Sequence, residues 1–218
     1  MQKIIFENNT NLFWHTLKKR VNDYFIDNKK IKYTSYTTYL KMFCMILFFI
    51  VPYLFLLFYS EANIFSLLLC FIMGIAMAGI GFCISHPAAH DAVSKNKTIN
   101  RLFSLSFNLV GMSDYIWKIK HNVFHHTYTN VYEKDEALKE GEAMRLSYDA
   151  PHKSLHRYQH IYGILVYGLF TIFWAFALDF EKLFRYNANG KRKKEKHPVA
   201  EVILFWFTKI YYVFLAFI

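Results

Sequence analysis

The sequence predicts an all-α integral membrane protein. It reads as a transmembrane helical hairpin, a histidine-rich helical region at the hairpin's cytoplasmic end, and an incomplete membrane segment at the C-terminus. Three observations carry this. Long uncharged apolar runs alternate with strongly basic stretches, so the mean hydropathy is only +0.14 although 55% of the 218 residues are hydrophobic. The first two apolar runs are separated by a few polar residues. Two histidine clusters at helical spacing follow them directly.

Residues 1–41 form a cytoplasmic N-terminal segment with eight Lys or Arg against three acids. Within it, 14–25 (WHTLKKRVNDYF) predicts an amphipathic helix on the lipid surface, and His15 a surface residue. No apolar signal-peptide core is visible in this stretch. Met42 to Ser60 carries no charge over nineteen residues, nearly enough at 1.5 Å per residue to cross a hydrocarbon core of roughly 30 Å. Pro52 predicts a kink there. After the polar turn at Glu61 to Asn63, Ile64 to Ser85 is a second uncharged run. It is rich in small residues (Gly74, Ala76, Ala78, Gly79, Gly81) that let helix backbones approach. A hairpin puts both outer ends in one compartment, and their basic flanks make it the cytoplasm.

The loop from His86 to about Gln159 then lies on that side. Leu102 to Met112 is too short to span and predicts a dip into the interface. Asp149-Ala150-Pro151 reads as a helix start, with His152, His156 and His160 on one stripe behind it. Ile161 to Leu178 is apolar, but seven Lys or Arg follow between Lys182 and Lys196, so the positive-inside rule favours a re-entrant or interfacial helix. Val199 to Ile218 begins another membrane segment and stops without a polar flank, which reads as a chain cut short.

The net charge of +10 flanks apolar spans and forms no separate basic domain, which argues against nucleic acid as a partner. Cys44, Cys70 and Cys83 lie within apolar runs and read as buried hydrophobes. The histidines are different. His86 and His90 are four residues apart, as are His121 and His125, with His126 adjacent. On an α-helix His121 and His125 share a face and His126 points about 100° further round. This arrangement offers imidazoles to two neighbouring metal ions, and the donor type suits iron, copper, nickel or zinc. His152, His156 and His160 read as structural, with His160 a weaker candidate for approaching the metal site. The acidic stretch Glu133, Asp135, Glu136, Glu140 and Glu142 reads as a solvated face or as an attraction for a basic electron donor.

The segments 94–101 (SKNKTINR), 117–130 (WKIKHNVFHHTYTN) and 156–162 (HRYQHIY), with the spacings H-x3-H and H-x3-H-H beside a hairpin, resemble the membrane fatty acid desaturases. The wording is similar to the linoleoyl-CoA, or delta-6-type, acyl desaturase branch. The resemblance runs from about Lys41 onward, so residues 42–218 are expected to be a desaturase domain incomplete at its C-terminus. It implies a site of two non-haem Fe ions, with His86 and His90 as the first histidine box and His121, His125 and His126 as the second. It further implies O2-dependent introduction of a cis double bond into an acyl-CoA or acyl-lipid chain. The implied partners are the fatty acyl substrate, the bilayer and an external electron donor such as ferredoxin or cytochrome b5.

Two departures stand out. Pro87 occupies a position where the family usually has Asp. It removes a backbone donor and favours the start of a new helix, leaving Asp91 as a substitute for orienting imidazoles. The third box, Gln-x-x-His-His, is absent from these residues. The rival readings are a related di-iron hydroxylase or ketolase, and a catalytically inactive fragment.

Overall fold

The computed structural model describes residues 12–59, 61–138, 143–185 and 196–217. The expectations placed on 1–11, Ser60, Glu140, Glu142, the basic run through 191–195 and Ile218 lie outside these residues. Among the described residues there are eight helices, a short 3-10 turn at Glu136–Leu138, and no strand. They are α1 (Leu12–Asp27), α2 (Tyr36–Tyr59), α3 (Ile64–Ala89), α4 (Lys97–Ser104), α5 (Ser106–Leu109), α6 (Asp114–His125), α7 (Ser154–Arg185) and α8 (Val199–Phe217). Helices α2, α3, α7 and α8 are each long and apolar enough to cross a membrane, so the chain is an integral membrane protein.

Helix α2 begins at Tyr36, ahead of the uncharged run, and continues through Pro52. Asn63 starts α3: its side chain accepts the backbone N–H of Phe65 at 3.0 Å and of Ser66 at 3.1 Å. The two helices pack as the expected hairpin around Met42, Phe49, Ala76, Ile80, Ile84 and Ala88, closed by Val93 and Val110. With lipid as apolar as these side chains, close packing rather than water exclusion holds them together. Gly79 shows how tight the contact is, because a Cβ there would run into Sδ of Met45. Gly74, by contrast, has open space, so not every small residue serves the interface. The backbone N–H of Thr34 and the hydroxyl of Tyr39 both donate to the carbonyl of Val93, each at 3.3 Å. The start of α2 and the end of α3 therefore share one end of the hairpin.

That end is capped by α4, α5 and α6. Leu102 to Met112 is less a lipid-dipping segment than a packing one, since Phe107 and Val110 are buried. Helix α8 is tied to this layer by polar contacts. Arg101 pairs with Glu201 at 2.7 Å and with Asp114, and Asn108 Nδ2 donates to Thr208 Oγ1 at 3.1 Å. Lys209, buried in α8, donates to the carbonyls of Gly111 and Ala175 and to Asp179 at 2.7–2.8 Å. Asp179 also accepts the Ser113 N–H at 2.7 Å and the Trp174 indole N–H at 2.9 Å. A buried charge persists only with such full pairing.

One expectation is corrected here. Helix α7 starts at Ser154, not at Asp149. Arg145 Nε donates to the Ala150 carbonyl at 2.8 Å and holds 145–150 as a turn, which withdraws that carbonyl from a helical ladder. Helix α7 is continuous for 32 residues and is long and apolar enough to cross a membrane. Its last turns pack in the capping layer, where Asp179 meets Ser113 and Lys182 meets Glu136 at 3.7 Å.

Candidate metal centre

His86 lies in the last turn of α3 and His90 just beyond it. Pro87 does not begin a separate helix. The turn ahead of it, Gly81–Ser85, is widened into a π-helix, with the His86 N–H donating to the Gly81 carbonyl. A wide turn is one way for a helix to admit a ring that would otherwise strike the preceding carbonyl. The chain then reverses at Asp91, whose φ is 56°.

The second cluster departs from the α-helical expectation in a consequential way. Residues Ile119–His125 also form a π-helix, and the His126 N–H donates to the His121 carbonyl at 2.9 Å. In such a wide turn residues five apart come into line, so His126 rather than His125 stands with His121. Asn122 ties this turn to α3 by donating to the Ala89 carbonyl at 3.2 Å.

Four Nε2 atoms converge as a result. His121 Nε2 lies 3.1 Å from those of His86, His90 and His126, and His90 and His126 are 3.3 Å apart. Metal–imidazole bonds of about 2.1 Å would separate neighbouring nitrogens by roughly 3.0 Å at right angles and roughly 3.4 Å at a tetrahedral angle. The spacings around His121 fall between these. His86, His90 and His121 have ligand atoms within 4.8 Å of one another and meet the spacing of a metal-binding triad, which His126 adjoins through His90 and His121. Trp117 stacks on His121, with ring centroids 4.2 Å apart and 21° between planes, and so limits its rotation.

The electrostatics favour neutral, metal-ready rings. Burial, then the positive charge that His86, His126, His90 and His125 would carry, pushes His121 down to about 3. Burial, followed by His86 and His126, also lowers His90, against a small opposing effect of Asp91. Both rings keep a lone pair at neutral pH, as a ligand must.

His125 is held apart from the four. Its Nδ1 lies 3.0 Å from both oxygens of Asp135. Burial alone would raise this carboxyl, but the His125 hydrogen bond and the backbone N–H groups of Asn130 and Ala137 hold it below the usual range. An ionised carboxylate only accepts, so His125 donates from Nδ1, and Nε2 is the ring atom turned to the rest of the centre. Its ring stacks on His121 with centroids 5.3 Å apart, beside the four-nitrogen group.

Asp135 is the residue that sequence reasoning misplaced. It is fully buried, and Glu136 pairs with Lys182, so part of the acidic stretch is structural rather than a solvated face. Nothing local distinguishes Asp135 from its acidic neighbours; only the fold brings it to His125. Asp91, the expected orienting group, is exposed and makes no hydrogen bond to an imidazole among the described residues. His156 is buried and accepts the Lys153 N–H at 3.1 Å, as befits a structural residue. His152 and His160 are exposed, and His160 is not among the converging imidazoles.

Comparison with known proteins agrees with this picture. The fatty acid desaturase family matches residues 62–218. The sn-1 linoleoyl-lipid 6-desaturase of Synechocystis sp. is 32% identical over 187 residues, 86% of this chain and 50% of its own length. The protein of the same name from Arthrospira platensis is 32% identical over 76% of this chain and 45% of its own. The acyl-lipid (8-3)-desaturase of Physcomitrium patens is 30% identical over 94% of this chain and 43% of its own. The chain thus spans about half the length of the curated relatives it matches. No solved structure matches it. With the family match covering most of the sequence and including both histidine clusters, the chain belongs to the fatty acid desaturase family.

Proposed function

We propose that the whole protein is an O2-dependent acyl desaturase with a non-haem di-iron centre, acting on acyl lipids at the cytoplasmic membrane face. The observation that carries this reading is the convergence of four imidazole Nε2 atoms at the end of an apolar hairpin. In the reaction two vicinal CH2 groups each lose a hydrogen and O2 becomes two waters. The balance requires two further electrons and two protons, which an external donor such as ferredoxin or cytochrome b5 supplies. Bound iron would supply O2 activation, which the chain's own side chains lack.

The residues have separable roles. His86, His90 and His121 hold one metal position, with His126 adjoining His90 and His121 as a further donor to the centre. His125, with its proton fixed on Nδ1 by Asp135, offers Nε2 towards a second position. That position needs further ligands, and the third histidine box of the family is the natural source. Trp117 and Asn122 keep the ring cluster in place. His86 stands in the last turn of a membrane helix, so an acyl chain reaches the metal from the bilayer side. Lys18, Lys19, Arg20, Lys29, Lys30 and Lys32 precede α2 at this same end, which supports a cytoplasmic face. The names of the relatives support an acyl lipid over acyl-CoA as substrate.

The test is mass spectrometry of acyl chains from cells expressing the natural protein or its His121→Ala form. The expected product has lost two hydrogens and disappears in the variant. A product that has gained oxygen would replace desaturation by hydroxylation or ketone formation. Identical acyl profiles with and without the natural protein would overturn the activity and leave an inactive relative.

A further inference from the structure

Helix α1 contributes nothing to the metal centre and has no buried residue. At 100° per residue its side chains nevertheless sort into two faces. Phe13, Trp14, Leu17, Val21, Tyr24 and Phe25 fall within an arc of roughly 120°. Arg20 and Lys18 border that arc on either side, with Asp27 next to Arg20; His15, Lys19, Asn22 and Asp23 lie on the far side, together with Leu12 and Ile26. Phe13 is 70% exposed, Trp14 52% and Val21 48%, far more apolar surface than a solvated helix shows on one face.

The edges and the surroundings indicate what covers this face. A cation on each border, with Asp23 on the far side, suits a surface that is apolar below and negatively charged at the level of the flanking residues. Lys18 already sits over the Trp14 ring, 4.8 Å from its centroid, its stem along the apolar side. The connection to α2 adds Lys29, Lys30 and Lys32 and only one neutralising neighbour, Asp27. It also folds back, with the Lys30 N–H donating to the Phe25 carbonyl at 2.9 Å. From Asp27 to Tyr36 the chain reaches at most roughly 30 Å, so α1 stays close to the bilayer surface where α2 enters. The contact of Thr34 with Val93 fixes that surface as the one bearing the histidines.

We infer that α1 is an in-plane membrane anchor. Its Phe13–Leu17–Val21–Tyr24 face lies in the bilayer interface, and its basic borders, with the following lysines, bind anionic lipid headgroups. The partner surface is a lipid leaflet rather than a protein.

The test uses the full chain in vesicles of phosphatidylcholine, with and without phosphatidylserine. Cys44, Cys70 and Cys83 are replaced by Ala, and single cysteines are placed as Leu17→Cys, Val21→Cys, His15→Cys or Asn22→Cys. The rate of reaction with a charged, water-soluble maleimide is then read. In phosphatidylserine vesicles, positions 17 and 21 should react more slowly than 15 and 22 by roughly tenfold, the bias expected for a buried aliphatic side chain. That protection should weaken in phosphatidylcholine alone, and also when Lys18→Glu and Arg20→Glu are introduced. The polar-face cysteines report on folding, because a collapsed variant changes all four rates together. Equal rates around the helix would overturn the anchor. Protection that ignores lipid charge would overturn the anionic partner, and slow reaction on both faces would mean that protein, not lipid, covers α1.

Discussion

At the scale of single residues, the metal centre depends on orientation as much as on donor count. Asp135 fixes the tautomer and tilt of His125, so Asp135→Asn should weaken iron binding about 10–100-fold while the helices remain. Iron titration alongside circular dichroism checks this, and unchanged iron affinity would remove Asp135 from the centre. His121 gives a pH prediction. Its folded-state pKa near 3 lies below the ordinary value of 6.5. Between these the unfolded chain binds more protons than the folded one, so this contribution to stability is complete above about 6.5 and is lost as pH falls towards 3. The metal-free chain should therefore unfold more readily across that acid window, and His121→Phe should flatten the dependence. A detergent-solubilised melting series at several pH values measures it.

At the scale of elements, the π-turns at Gly81–Ser85 and Ile119–His125 and the polar ties of α8 set the geometry. Spacing alone made the five histidines legible, because imidazoles four apart beside a membrane run are chemically distinctive. It paired His121 with His125 because an α-helix was assumed. The wider turn, recorded by the His126-to-His121 backbone bond, exchanges His126 for His125. No local pattern announces such a turn. Long-range polar pairs were equally hidden, since Arg101 and Glu201 are remote in sequence, and a lysine within an apolar run names no partner. Lys209→Met should cost about 3–5 kcal/mol, because Asp179 would stay buried without its cation. Adding Asp179→Leu should recover part of that loss. Thermal unfolding of the single and double variants decides it, and a single variant as stable as the natural chain would mean the pair is not holding α8.

At the scale of the whole molecule, hydropathy and charge make the membrane hairpin readable from the residues alone, and the hairpin explains why the two clusters meet. One histidine pair ends the returning helix, and the capping layer folds the other over it. What the sequence left open at this scale was α7, whose basic flank argued against a crossing while its length permits one. The central claim is that His86, His90 and His121, with His126 beside them, hold iron. Elemental analysis of the detergent-purified chain, natural and His121→Ala side by side, tests it most directly. The account predicts stoichiometric iron in the natural chain and its loss in a variant of unchanged helix content. Iron retained in full by His121→Ala, or no iron bound by a folded natural chain, would contradict it.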